Sequence, residues 1–169
     1  MRSMKINRLI KFVLGMAVAT MIGCGGGGGS SLTPTTPPPT ATKAIVALTT
    51  TDASPAGLSI GAISSTVTYS TNKGLSITDA DVVASGVAAG STVAANVSTA
   101  GQVRIGLITV TPFPIGQYAT LTFSFAAGSP ITAGDFSVAL NPANNDQIIS
   151  ASGSPISGAN VAILSVTFQ

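Results

Sequence analysis

The chain has 169 residues, 45% apolar, 5% aromatic and 7% charged, with no Trp and no His. Glu is absent as well, so all five acids are Asp; without His or Glu the common partners for general acid–base catalysis are missing, and a non-enzyme is expected. The formal charge of +2 belongs to the first residues, because Arg2, Lys5, Arg8 and Lys11 are four of the seven basic side chains. Beyond Cys24, Lys43, Lys73 and Arg104 face five Asp, a balance of −2 with no basic cluster for phosphates, so no nucleic-acid partner is expected.

Residues 1–23 read as a secretory signal: a basic start, the apolar stretch "FVLGMAVATMIG", and a small residue before the cut. Twelve apolar or small residues fall short of the roughly 20 that span a bilayer. "MIGC" resembles a bacterial lipobox, which implies that Cys24 is lipidated and becomes the first mature residue. A single Cys has no partner for an internal disulfide, and lipidation removes a free thiol from an oxidising compartment. Two or three acyl chains anchor stably where one does not. Gly25 after the Cys resembles the outer-membrane sorting signal, so the expected location is the outer membrane, facing the periplasm or the cell surface.

Residues 24–42 form the lipidated Cys and its tether. The Gly/Ser half predicts a flexible coil, and the Pro/Thr half an extended, semi-rigid polyproline form. Such a tether reaches roughly 25 Å as a coil and about twice that when extended.

From 43 to 169 the pattern is that of strands. "AISSTVTYS" sets Ile63, Val67 and Tyr69 against Ser64, Thr66, Thr68 and Ser70. "STVAANVS" alternates Val93, Ala95 and Val97, and "QVRIGLITV" alternates Val103, Ile105 and Leu107. "YATLTFSFA" sets Ala119, Leu121, Phe123 and Phe125 against Thr120, Thr122 and Ser124. "DFSVAL" contributes Phe136, Val138 and Leu140, and "AILSVTFQ" contributes Leu164, Val166 and Phe168. One apolar and one hydroxyl face is the mark of antiparallel strands packed on one side. Eight or nine of them predict an all-β sandwich of two sheets face to face.

The runs "AGLSIGAISSTVTYS", "DADVVASGVAAGSTV", "GQVRIGLI" and above all "GQYATLTFSF" resemble the cohesin and carbohydrate-binding-module superfamily, and more closely the small cohesin-like lipoproteins of bacterial envelopes. The resemblance spans roughly 44–140, with a weaker tail to 169. It implies a jelly-roll β-sandwich of about nine antiparallel strands, displayed to bind polysaccharide or a dockerin-like protein partner. The alternative is a structural component of the envelope or surface matrix that self-associates or binds a filament. Sugar-binding relatives use rows of exposed rings, because rings stack on sugar faces. This chain has no Trp, and most of its Phe residues share the expected core parity.

Several short motifs invite chemistry. "GLSIG" places Ser59 in a nucleophile-elbow pattern, but no His can take its proton, so a strand with a bulge is the expectation. "STNK" sets Ser70 and Lys73 in a Ser-x-x-Lys spacing that follows a strand and reads as a turn. "TDAD" supplies Asp79 and Asp81, oxygen ligands for a structural calcium or else turn formers that cap backbone N–H groups. "NPANND" offers Asn141, Asn144, Asn145 and Asp146 under the same logic. No other cofactor is expected. "NVS" (96–98) fits a glycosylation sequon that has little meaning in a bacterial lipoprotein. "TPFPIGQY" sets Phe113 between prolines, where a paired central strand is disfavoured. An exposed Phe113 near Tyr118 is the candidate apolar contact for a sugar or a partner.

Overall fold

The computed structural model describes residues 38, 40–51 and 59–169. The signal segment, Cys24, the tether as far as Pro37, and Asp52 lie outside the described residues. β-Branched and hydroxyl side chains suit a half-buried pleated surface, and among the described residues the chain forms nine strands and no α-helix. They are β1 (Lys43–Thr51), β2 (Ile60–Tyr69), β3 (Val82–Ala84), β4 (Thr92–Asn96), β5 (Gln102–Phe113), β6 (Gln117–Ser124), β7 (Phe136–Ala139), β8 (Ile148–Ser150) and β9 (Asn160–Phe168).

One sheet has the order β3-β6-β1-β9; the other has the order β4-β5-β2-β7, with β8 also pairing β2. All these pairs are antiparallel. The expected parities supply the core. Val46, Leu48, Leu121 and Phe123 of the first sheet, and Ile63, Val67, Val103, Ile105 and Leu107 of the second, are fully or almost fully buried. Burying each such side chain contributes about 1.5–3 kcal/mol. A ladder of rings crosses between the sheets: Tyr69 and Phe136 each tilt against Phe123, with centroids 5.1 and 5.0 Å away.

β1 departs from simple alternation, and Ala44, Val46, Ala47, Leu48 and Thr50 are all buried. Its two ladders also slip. On one side Leu48 faces Ala119 while Thr49 faces Gln117, so Tyr118 is the extra residue of a bulge. On the other side Ala47 faces Ser165 while Leu48 faces Ile163, so Leu164 is the extra residue. A bulge re-aims side chains. Tyr118 is thereby turned into the core, and Leu164, expected inside, is exposed.

A sequence repeat marks two sheet edges. Ile77-Thr78-x-x-Asp81 leads into β3, and Ile131-Thr132-x-x-Asp135 leads into β7. In the first, the Thr78 N–H and hydroxyl both donate to Asp81 Oδ2, at 2.8 and 2.6 Å. In the second, the Thr132 N–H and hydroxyl both donate to Asp135 Oδ2, at 2.7 and 3.0 Å. Asp135 also accepts from Ser70 Oγ at 2.9 Å and pairs with Lys73 Nζ at 2.8 Å. Each box satisfies a donor that the short 3-10 turn leaves without a partner.

Burial pushes the Asp135 carboxyl up, but the bonds from Lys73, Thr132 and Ser70 outweigh it and hold the group below its usual range. Asp81 is also held low, first by the Thr78 hydroxyl and then by the Thr78 N–H. A carboxylate depressed in the folded state contributes stability above its unfolded pKa and loses it as pH falls through the folded value. Urea stability is therefore expected to be level above about pH 5 and to fall below about pH 4. Asp135→Asn lowers the neutral plateau and flattens the acid limb, so the two stability curves converge towards about pH 2. Curves that run parallel across that range would remove Asp135 from the account.

Candidate functional site

The outward face of the β4-β5-β2-β7 sheet is ordered by register into rows, three of which form the candidate site. Asn96, Arg104, Thr66 and Ala139 lie side by side across the four strands. Next come Ala94, Gly106 and Ser64, and then Thr92, Ile108, Ala62 and Ile149. The face thus grades from polar, through a flat row of small residues, to apolar, where Ile108 is 67% exposed. The middle row is open as well as flat. A Cβ built on Gly106 meets nothing closer than the Ala94 carbonyl oxygen at 3.8 Å.

Beneath the polar row sits a buried carboxylate. Asp146 Oδ1 accepts from Ser64 Oγ at 2.8 Å, and Oδ2 accepts from Thr66 Oγ1 at 2.6 Å and the Asn141 N–H at 3.2 Å. Arg104 Nε lies 3.5 Å from Oδ1. The loop that brings Asp146 here is closed by its own bonds. Asn141 Oδ1 accepts from the Ala143 N–H at 3.0 Å, and Asn145 adopts φ of 54°, a conformation Asn tolerates. Asn144 spans the cluster, donating Nδ2 to Thr66 Oγ1 at 3.1 Å and offering its carbonyl to Arg104 Nη2. Two shallow hollows meet at Gln102. One, of about 300 Å³, runs past Thr66, Thr68, Ser137 and Pro142; the other, of about 180 Å³, lies between Asn96, Arg104 and Asn144.

The residues singled out in the sequence fall elsewhere or take other roles. Phe113 and Tyr118 are corrected: they are 3% and 0% exposed, so neither offers a ring to a ligand. The strand leaves its ladder between Ile108, opposite Ala62, and Phe113, opposite Ile60. That excursion carries Pro112 outside the pairing and lets Phe113 return to the core at the strand's end. Val110 stands fully exposed on it, and Thr109 Oγ1 bonds the Thr111 carbonyl at 2.7 Å. The Tyr118 hydroxyl shares a 3.0 Å hydrogen bond with Ser65 Oγ inside the core. Burial pushes the phenol well above its usual range, so it stays neutral.

Asp79 and Asp81 belong to the β3 turn, where Asp81 Oδ2 is taken by Thr78. Among the described residues no three His, Cys, Asp or Glu cluster. Around Asp146 every neighbour is a proton donor or a cation, a donor set opposite to that of a cation site. Ser70 and Lys73 come together, but as joint donors to Asp135. Ser59 is exposed just before β2, and its carbonyl accepts from the Ala151 N–H. The sequence reading passed over Arg104, Gln102 and Gly106. The signal was available: in "QVRIGLITV" these three share the parity opposite to Val103, Ile105 and Leu107.

No family model matches the chain, and no curated protein does. Among solved structures it is similar to a non-cellulosomal cohesin from the hyperthermophilic archaeon Archaeoglobus fulgidus. The TM-score is 0.47 and the identity 15%, over 70% of this chain and 75% of that one.

Tyr118→Phe tests the reassignment of this residue. It leaves Ser65 Oγ without its core partner and is expected to cost about 1–3 kcal/mol in urea denaturation. Tyr118→Phe combined with Ser65→Ala recovers part of that loss. A Tyr118→Phe variant as stable as the parent would mean that the bond contributes nothing.

Proposed function

We propose that the sandwich is a non-enzymatic docking module for a protein partner, held at the outer membrane by lipid on Cys24 and by the 24–42 tether. The observation that carries this reading is the graded outward face of the β4-β5-β2-β7 sheet: Arg104 at one end, Ile108 at the other and the flat Ala94, Gly106 and Ser64 row between them. A flat patch with an anchored Arg and an exposed aliphatic side chain suits protein surfaces, whose interfaces are enriched in Arg. Polysaccharide is the weaker candidate, since among the described residues every aromatic ring is buried or half-buried and none is left to stack on a sugar. A non-enzymatic role fits the charged groups, which are spent on structure in Lys73–Asp135, Arg104–Asp146 and the Thr78–Asp81 box.

A photo-reactive amino acid placed at Gly106 in the native host is expected to give a discrete protein adduct. The same probe at Thr122, on the outward side of the other sheet, gives none. Equal labelling at both positions, or none at either, would rule this face out. Retention on insoluble polysaccharide would select the carbohydrate reading instead. Replacing Cys24 with Ser moves the chain from the membrane to the soluble fraction; a Cys24→Ser protein that still sediments with membranes contradicts the lipid anchor.

A further inference from the structure

The polar row has a chemistry of its own. Arg104 is held at two points, by an ion pair from Nε to Asp146 and a hydrogen bond from Nη2 to the Asn144 carbonyl, and among the described residues Nη1 and the second Nη2 proton have no partner. The Asp146 side chain is wholly buried, whereas the Arg104 side chain is 48% exposed. Hydroxyl and backbone donors from Ser64, Thr66 and Asn141 share the buried negative charge, so the face shows solvent a cation. Amide donors flank it. Asn96 lines the smaller hollow; its Oδ1 is occupied by the Ser98 N–H and hydroxyl, at 3.0 and 2.6 Å, and its Nδ2 has no partner among the described residues. Gln102 lines that hollow as well. The other two basic side chains of the domain are placed elsewhere. Lys73 is paired with Asp135, and Lys43 lies on the other sheet.

Resting on the docking reading above, we infer that the partner is a protein segment with an acidic side chain, whose carboxylate seats on Arg104 while an apolar side chain packs on Ile108. The guanidinium fork matches a carboxylate in two-point geometry. A basic side chain at the same place meets a like charge. Arg104 and Ile108 are four residues apart on one face of β5, about 13 Å along the strand. The floor between them is Gly106, so backbone can approach closely without a side chain in the way.

The test is selection of random peptides displayed on phage against the full lipidated chain in detergent. Enriched peptides carry Asp or Glu with an apolar residue about 13 Å away. Synthetic copies lose roughly tenfold or more in affinity on Arg104→Gln, keep part of it on Arg104→Lys, and are unaffected by Lys43→Gln. Arg104→Lys keeps a cation over Asp146, so it guards against a Gln variant that fails to fold, and thermal melts check both. Gly106→Gln separates the two claims. Peptides lost on Gly106→Gln but indifferent to Arg104→Gln overturn the carboxylate and leave the docking face standing. Peptides indifferent to both changes, or an empty selection, overturn both. Retention of polygalacturonate that depends on Arg104, with no peptide selected, overturns the protein partner in favour of an acidic polysaccharide.

Discussion

β2 is the strand on which both faces of the protein depend, because it puts hydroxyls where the alternation alone would not require them. Its inward residues are Ile63, Ser65 and Val67, all essentially buried, so one core position is a serine. A buried hydroxyl without a partner costs about 1–3 kcal/mol. Ser65 is satisfied only because Tyr118 is bulged inward from the opposite sheet, so the slip beside Leu48 and the core serine require each other. On the outward side, Ser64 and Thr66 are the two hydroxyls that hold Asp146. Without them the 141–146 loop would lose its central anchor, and Arg104 would lose the group that aims it.

The sheet edges show how so weakly charged a chain is held in register. β3 and β7 have only three and four residues, and strands so short have little ladder of their own. Each starts directly after a Thr-x-x-Asp box, which sets the entry of the chain before pairing begins. Val82 and Phe136 are the first residues of those strands, and both are buried, so the boxes deliver a core side chain at once. The β7 box is the more heavily bonded, with Ser70 and Lys73 of the β2–β3 connection added to it. It therefore ties the end of β2 to the start of β7, two strands already paired from Thr66 to Tyr69.

The parts legible in the sequence were those governed by a period of two. β2, β4, β5 and β6 alternate, and the structure places their apolar sets inward as expected. β1 was less visible because its burial breaks the period of two, with Val46, Ala47 and Leu48 buried in succession. Bulges lie beyond any period, and they account for Tyr118 and Leu164: one inserted residue reverses the side a side chain faces. Phe113 was misplaced for a related reason. The proline argument applies to a paired interior position, whereas this Phe closes the strand after an excursion. The site was hidden because it joins residues as distant as Thr66 and Asp146, and only the fold shows that "NPANND" presents one carboxylate to donors on β2 and β5. The repeat of Ile-Thr-x-x-Asp was open to inspection, since it needs only two stretches of chain to be compared.

A single cation is a thin basis for recognition unless its geometry is fixed beforehand. An exposed ion pair is worth about 0.2–1 kcal/mol, because screening is strong and two long side chains must be ordered. Ordering one such side chain on binding costs about 0.5–1.5 kcal/mol, as much as the pair returns. Here the fold has already met that cost for Arg104, through Asp146 on one side and the Asn144 carbonyl on the other. The Arg104 side chain keeps 48% of its surface exposed beside those two contacts. On a domain with so few charges, the proposed docking would let one Arg add to affinity and fix the orientation of what binds, while Ile108 and the small-residue floor would supply the contact area.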